Sequence, residues 1–143
     1  MEKSPAIKSV HGVYNYDTFR REMLKEDAHL SGGPAPGEPA PDFTLPAIAG
    51  GTIHLSSFRG IKPLLLVFGS IMCPMTAGAR PGLVRLFAEL KEQIAFVSVY
   101  IREPHPGERY PRHTSEVQKA RHARDWAEHD RIPWVSGGRC SRW

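Results

Sequence analysis

The stretch Leu64-Leu-Leu-Val-Phe-Gly-Ser-Ile-Met-Cys-Pro-Met-Thr-Ala-Gly-Ala-Arg80 decides how the rest of the chain is read. Residues 64–68 are continuously apolar rather than alternating, the pattern of a strand buried on both faces of a parallel or mixed α/β sheet. Cys73 follows just beyond the carboxyl end of that strand. Loops and helix N-termini converge at this edge of an open α/β sheet, so ligands and chemistry collect there. Pro74 suits a first helical position, where its missing N–H would have found no partner anyway. Cys73 is thereby placed near the N-cap, with free backbone N–H groups directed toward its sulfur.

Working outward, Ala79, Leu83, Leu86, Phe87 and Leu90 fall on one face of the next helix, and Pro81 inside it predicts a kink. Residues 94–101 form a second β-type run. Two strands joined by a helix make a βαβ unit, so the strands are parallel and end on the same edge of the sheet. The second ends in Arg102-Glu-Pro-His-Pro106, and topology alone therefore carries Glu103 and His105 toward Cys73.

Upstream, residues 17–30 read as a short amphipathic helix capped by Asp17, with Phe19, Met23 and Leu24 on its apolar face. Residues 31–41 are too rich in proline and glycine for helix or central strand. Residues 42–45 and 52–55 flank a glycine turn as a small hairpin, and residues 56–60 make a single turn before the central strand. Downstream, residues 115–129 read as a helix with Val117, Ala120, Ala123, Trp126 and Ala127 on a sparse apolar face. Residues 132–135 read as the start of a last strand. The expected division is an N-terminal helix and linker over 1–38, an α/β domain over 39–135, and an unpatterned tail over 136–143.

With 143 residues, 41% hydrophobic and 24% charged, the chain has the makeup of one globular domain able to bury a core without disulfides. Of the net charge of +4, the segment from Arg102 onward carries nine Lys/Arg against six Asp/Glu. That mild, interleaved surplus is a solvated surface and no footprint for nucleic acid. No run reaches the ~18 apolar residues of a membrane span, and the N-terminus lacks the apolar core of a secretory signal, so a cytoplasmic location is expected. Two cysteines, Cys73 and Cys140, make no disulfide framework. No Cys/His spacing marks a metal site, and His113, His122 and His129 are expected on the surface.

The thiolate is the reactive form of cysteine, and a helix N-terminus and nearby cations favour that anion. Arg80 and His105 are the nearest candidate cations, while Ser70 and Thr76 are candidate hydroxyl donors to the sulfur. The competing reading is that Cys73 is a buried, inert packing residue.

These motifs resemble the thioredoxin-fold redoxins, and within them the iodothyronine deiodinase-like branch. Residues 40–45 and 55–60 match the hairpin shared by peroxiredoxin-like redoxins. Residues 67–74 resemble the deiodinase strand, loop and helix start, with Cys73 where animal deiodinases place selenocysteine. Residues 100–105 resemble the segment carrying the Glu and His those enzymes use. The resemblance implies an α/β thioredoxin-like fold, with a central mixed sheet flanked by helices. It also implies catalytic roles for Cys73, Glu103 and His105, with Ser70, Pro74, Thr76 and Arg80 in support.

The departures shape the expected chemistry. Ile71 stands where deiodinases commonly carry a second cysteine, and neither Cys73-Pro-Met-Thr76 nor Ser70-Ile-Met-Cys73 is a dithiol. Ser70 supplies the hydroxyl of the peroxiredoxin pattern, but Leu66 replaces its proline. Sulfur for selenium lowers the expectation of efficient deiodination. The resemblance stops at Val135, short of the family's C-terminal hairpin, cis-proline loop and last helix. A sheet ending there has an exposed edge through which two copies can pair.

The function expected is that of a one-cysteine thiol oxidoreductase of the antioxidant redoxin type. Cys73 attacks an electrophilic atom of a small-molecule substrate, and an external thiol, small or thioredoxin-like, restores it, without metal or cofactor. His105 holds the thiolate or moves a proton, Glu103 orients it or carries the proton onward, and Cys140 has no resolving role. The alternative is a non-catalytic binding module or an inactive truncated fragment.

Overall fold

A computed structural model describes residues 34–137. The expected N-terminal helix over 17–30 and Cys140 lie outside them.

Strands β1 (Thr44–Pro46) and β2 (Thr52–His54) pair antiparallel across a turn in which Gly50 and Gly51 both have positive φ. A 3-10 turn, Leu55–Phe58, leads to β3 (Leu64–Gly69), helix α1 (Pro74–Leu90) and β4 (Ala95–Tyr100). Helix α2 (Glu116–His129) and β5 (Val135–Gly137) complete the described part. The sheet order is β3-β4-β5, all parallel. Among the described residues its mixed character is confined to one antiparallel bridge, between Ala47 beside the hairpin and Gly137 in β5.

β4, not β3, is the central strand among the described residues. It is buried from Phe96 to Tyr100, whereas β3 has one described neighbour and is only half-buried, with Phe68 60% exposed. The unbroken apolar run 64–68 thus marks an edge here, where sequence pattern suggested the middle.

Strand alternation sorts the side chains of β4 onto two faces. Val97 and Val99 join Leu45 and Ile53 of the hairpin in one cluster, with Leu64 and Leu66 packed against it. The opposite face carries Phe96, Ser98 and Tyr100. There Phe87 of α1 meets Phe96 edge-on at 5.3 Å, and Trp134 closes the group at 5.3 and 5.6 Å from the two rings. The Trp134 Nε1–H donates to the buried Ser98 hydroxyl at 2.8 Å, so the one polar group under these rings is satisfied. Hairpin, sheet and helices form three layers, with β4 in the middle.

Helix α1 runs unbroken through Pro81, although that proline leaves the Ala77 carbonyl without its helical donor. Leu83, Leu86, Phe87 and Leu90 are half-buried as the periodicity required, but Ala79 is exposed and Thr76 takes the inward position in its turn. In α2 the buried stripe is Lys119, His122, Ala123 and Trp126, and Val117 is 78% exposed. The Ser115 side chain caps α2 by accepting from the Gln118 N–H at 3.1 Å, an interaction worth ~1 kcal/mol.

The helix ends in a Schellman turn. The Ile132 N–H reaches the Ala127 carbonyl (3.0 Å), the Arg131 N–H reaches that of Glu128 (3.2 Å), and Arg131 has a φ of +47°. β5 shares only Val135 with the strand start expected over 132–135 and runs two residues past the expected domain limit. Ser136 and Gly137 are small and weakly β-forming, yet the β4 ladder and the space under Ile53 take them. No helix among the described residues is long and apolar enough to cross a membrane.

Candidate functional site

β3 and β4 end side by side in register, Gly69 opposite Tyr100. The two segments that leave these strand ends define the site. After β3 the chain turns through Ser70, Ile71 and Met72, with the Cys73 N–H donating to the Ser70 carbonyl at 3.3 Å. Cys73 is the N-cap of α1, Pro74 stands at its N-terminal end as expected, and the thiol is free and partly exposed. As the N-cap, Cys73 stands over the first-turn N–H groups, which carry the helix's partial positive charge.

After β4, Glu103 turns back under this loop. Only 2% exposed, its carboxylate accepts from the Met72 N–H at 3.2 Å and from the Tyr100 hydroxyl. Burial pushes the Glu103 carboxyl above the usual carboxylate range, while these two donors hold it down. The nearby Ser70 hydroxyl, also buried, favours the anion too, though it makes no hydrogen bond of normal geometry. Burial first, and the neighbouring Glu103 next, push the Tyr100 phenol well above its ordinary value. A carboxyl in this setting can hold a proton at a pH where a solvated one cannot.

His105 is half-buried in the same segment, with its Nδ1 shielded from solvent. The Thr76 side chain packs over Gly69, the last residue of β3, beside Trp126. A Cβ at Gly69 would lie 2.8–3.0 Å from those two side chains. Arg80, expected near the thiol, is engaged at the far end of α2, where its guanidinium donates to the Asp130 carbonyl at 3.4 Å. A cation there complements the helix C-terminus. Of the expected residues the structure gathers Ser70, Cys73, Pro74 and Glu103 around one turn, while Thr76 lies over Gly69 and Arg80 bonds the Asp130 carbonyl.

The histidines are corrected most. His122 is fully buried and His113 half-buried, against the expected surface placement. Their rings lie 5.0 Å apart; Tyr110 meets His122 edge-on at 5.0 Å, and Tyr100 lies 5.6 Å from His113. Burial pushes His113 down to about 4 and lowers His122 as well, so both rings are neutral at neutral pH. Among the described residues, Glu103, His113 and His122 each offer a ligand atom within 4.8 Å of the others. That grouping was hidden because the three come from a strand end, a loop and a helix. The available signal was periodicity, since His122 falls on the stripe of Ala123 and Trp126. A cavity of about 180 Å³ lies elsewhere, between the hairpin and α2, lined by Ala47, Ile48, Glu116 and Arg124 among others.

Comparison with known proteins places this geometry. The sequence model described as iodothyronine deiodinase matches residues 5–133. Among solved structures, the thioredoxin domain of a thiol-disulfide oxidoreductase from Bacteroides vulgatus superposes with a TM-score of 0.57 at 20% identity, covering 74% of this chain and 65% of that one. A hypothetical protein from Sinorhizobium meliloti gives 0.59 at 19% identity, covering 76% and 56%. A thio-disulfide isomerase from Thermus thermophilus gives 0.51 at 22%, covering 77% and 65%. At such identities the likeness shows the fold, which is thioredoxin-like, and the chain spans less than two thirds of these structures' length. No curated protein matches the sequence significantly.

Proposed function

Since the chain belongs to the iodothyronine deiodinase family, we propose that it is a thiol-dependent oxidoreductase in which Cys73 is the single reacting thiol and an external thiol completes the cycle. The supporting observation is the buried Glu103 carboxylate bonded to the Met72 N–H, one residue before a free cysteine at a helix N-cap.

For a disulfide substrate the Cys73 thiolate attacks one sulfur, a mixed disulfide forms, and the other sulfur leaves as a thiolate that takes up a proton. A second thiolate, from a small thiol or a thioredoxin-type protein, attacks the mixed disulfide at the substrate's sulfur. That step releases Cys73 as the thiolate and leaves the new disulfide outside the protein. Glu103, held where it can carry a proton, serves the leaving group and fixes the loop that aims the sulfur. His105 relays protons between this buried carboxyl and solvent. With Ile71 in place of a neighbouring cysteine, no thiol two residues before Cys73 competes with the external one for the mixed disulfide.

The test is to incubate the full chain with a small aromatic disulfide and read the adduct by intact-mass spectrometry. One adduct, absent from Cys73→Ser, retained in Cys140→Ser and cleared by excess thiol, is expected. An unreactive Cys73 in folded protein would instead support the reading as a silent thioredoxin-fold binding module.

A further inference from the structure

We propose that Glu103, His113 and His122 form a binding site for Zn2+, with three protein ligands and a fourth position open to water. Two imidazoles and one carboxylate are the donor set of open zinc sites. All three ligand atoms already lie within 4.8 Å of one another, against an edge of about 3.3 Å in a tetrahedral site with ~2.0 Å bonds. Glu103 and His113 both belong to the segment between β4 and α2, but Glu103 is held by the Met72 N–H and the Tyr100 hydroxyl, so His113 is the ligand able to close that gap.

Independent support comes from polar atoms left over by the fold. His122 is fully buried and its Nδ1 has no hydrogen-bond partner, and the Nε2 of His113 is likewise buried without one. Buried nitrogens left in this state are costly, and a cation satisfies both at once. Both rings are neutral, the form that ligates metal. Behind the carboxylate, the Tyr100 hydroxyl and the Met72 N–H already orient Glu103, as outer-sphere partners do for metal-bound carboxylates.

Two charges oppose the ion. Lys119 is buried one turn before His122 and acts on His113, and Arg121 lies 3.4 Å from His122 Nε2. Ligation through Nδ1 moves the ring proton to Nε2 and gives up that long Arg121 contact. Zinc held here keeps Glu103 ionised and closed to protons, so occupancy opposes the chemistry proposed for Cys73. That consequence rests on the reading of Glu103 above, whereas the binding does not.

The test uses the full chain carrying Cys73→Ser and Cys140→Ser and no histidine tag, so that thiolates cannot account for uptake and failure of the Cys73 chemistry does not affect the result. Calorimetric titration with ZnCl2 should give one site. Adding His113→Ala or Glu103→Gln should each weaken it at least ~10-fold, as loss of even an outer-sphere partner can. Saturating zinc should raise the melting temperature of the double variant and leave that of its His113→Ala derivative unchanged. His113 is half-buried in a loop, so its truncation leaves a folded protein, which a cooperative melt without metal verifies. No uptake by the double variant, or uptake indifferent to His113→Ala and Glu103→Gln, overturns the site.

Discussion

The Glu103 carboxylate accepts the Met72 N–H at 3.2 Å, tying the segment after β4 to the loop that presents Cys73. The same carboxylate takes the Tyr100 hydroxyl, so one buried acid joins strand end, loop and phenol. Glu103→Gln separates its two roles. The amide oxygen can keep the Met72 bond while the amide NH2 donates to the Tyr100 oxygen. Removing a buried acid whose burial opposes ionisation costs little, so the melting temperature at pH 7 should match wild type or exceed it. Turnover of a disulfide substrate should fall by about 10²-fold, the scale of lost acid-base assistance. Stopped-flow kinetics beside a thermal melt checks this, and unchanged turnover would remove Glu103 from the proton path.

Gly69, the last residue of β3, predicts a steric effect with an internal control. A Cβ there meets Thr76 Cγ2 and Oγ1 at 2.8 and 2.9 Å and the Trp126 ring at 3.0 Å, all within packed structure. At Gly137 the closest atom, at 2.9 Å, is the Ile53 Cδ1 methyl, the end of a flexible side chain. Gly69→Ala should cost about 1–3 kcal/mol and Gly137→Ala less. Urea unfolding of both variants checks the order, and equal costs would contradict it.

Arg131 occupies the left-handed position of the Schellman turn, where glycine is the unstrained choice. Its φ of +47° costs an L-residue roughly 1 kcal/mol, partly offset by the greater freedom glycine has when unfolded. Arg131→Gly is therefore expected to stabilise by about 0.5 kcal/mol, with no effect on Cys73 reactivity. Paired urea melts and alkylation rates check both halves.

How much of this was legible in sequence differs from place to place. The βαβ unit, the cap position of Cys73 and the approach of Glu103 followed from two apolar runs and one proline, because strand and helix periods are local signals. The central place of β4 did not follow, since an apolar run shows that a strand is greasy and not how many neighbours it has. The partners of Arg80 and Thr76 were hidden for a related reason. Sequence put the two residues near the thiol, but the partners that claim them, Asp130 and Gly69, lie in another helix and strand. The two buried histidines were hidden by their usual surface habit, although the stripe containing His122 pointed inward.

Acid should destabilise the folded chain through its buried histidines. Burial first, then repulsion from His122 once acid charges it and from Lys119, push His113 down to about 4, and burial lowers His122 as well. In the unfolded chain both titrate near the ordinary value of about 6.5. Between those two values the unfolded chain binds protons that the folded one refuses, so stability rises with pH across the window and is lost as pH falls through it. Glu103 works in the opposite sense, because its raised carboxyl keeps a proton in the folded state above the ordinary carboxylate value. The His113 shift spans the window from 6.5 to about 4, so stability from urea melts should fall across it by on the order of 1–3 kcal/mol. His113→Gln, which cannot be protonated, should flatten that slope. A wild-type profile that is flat, or as steep in His113→Gln, would mean that the His113 ring is not held neutral by the fold.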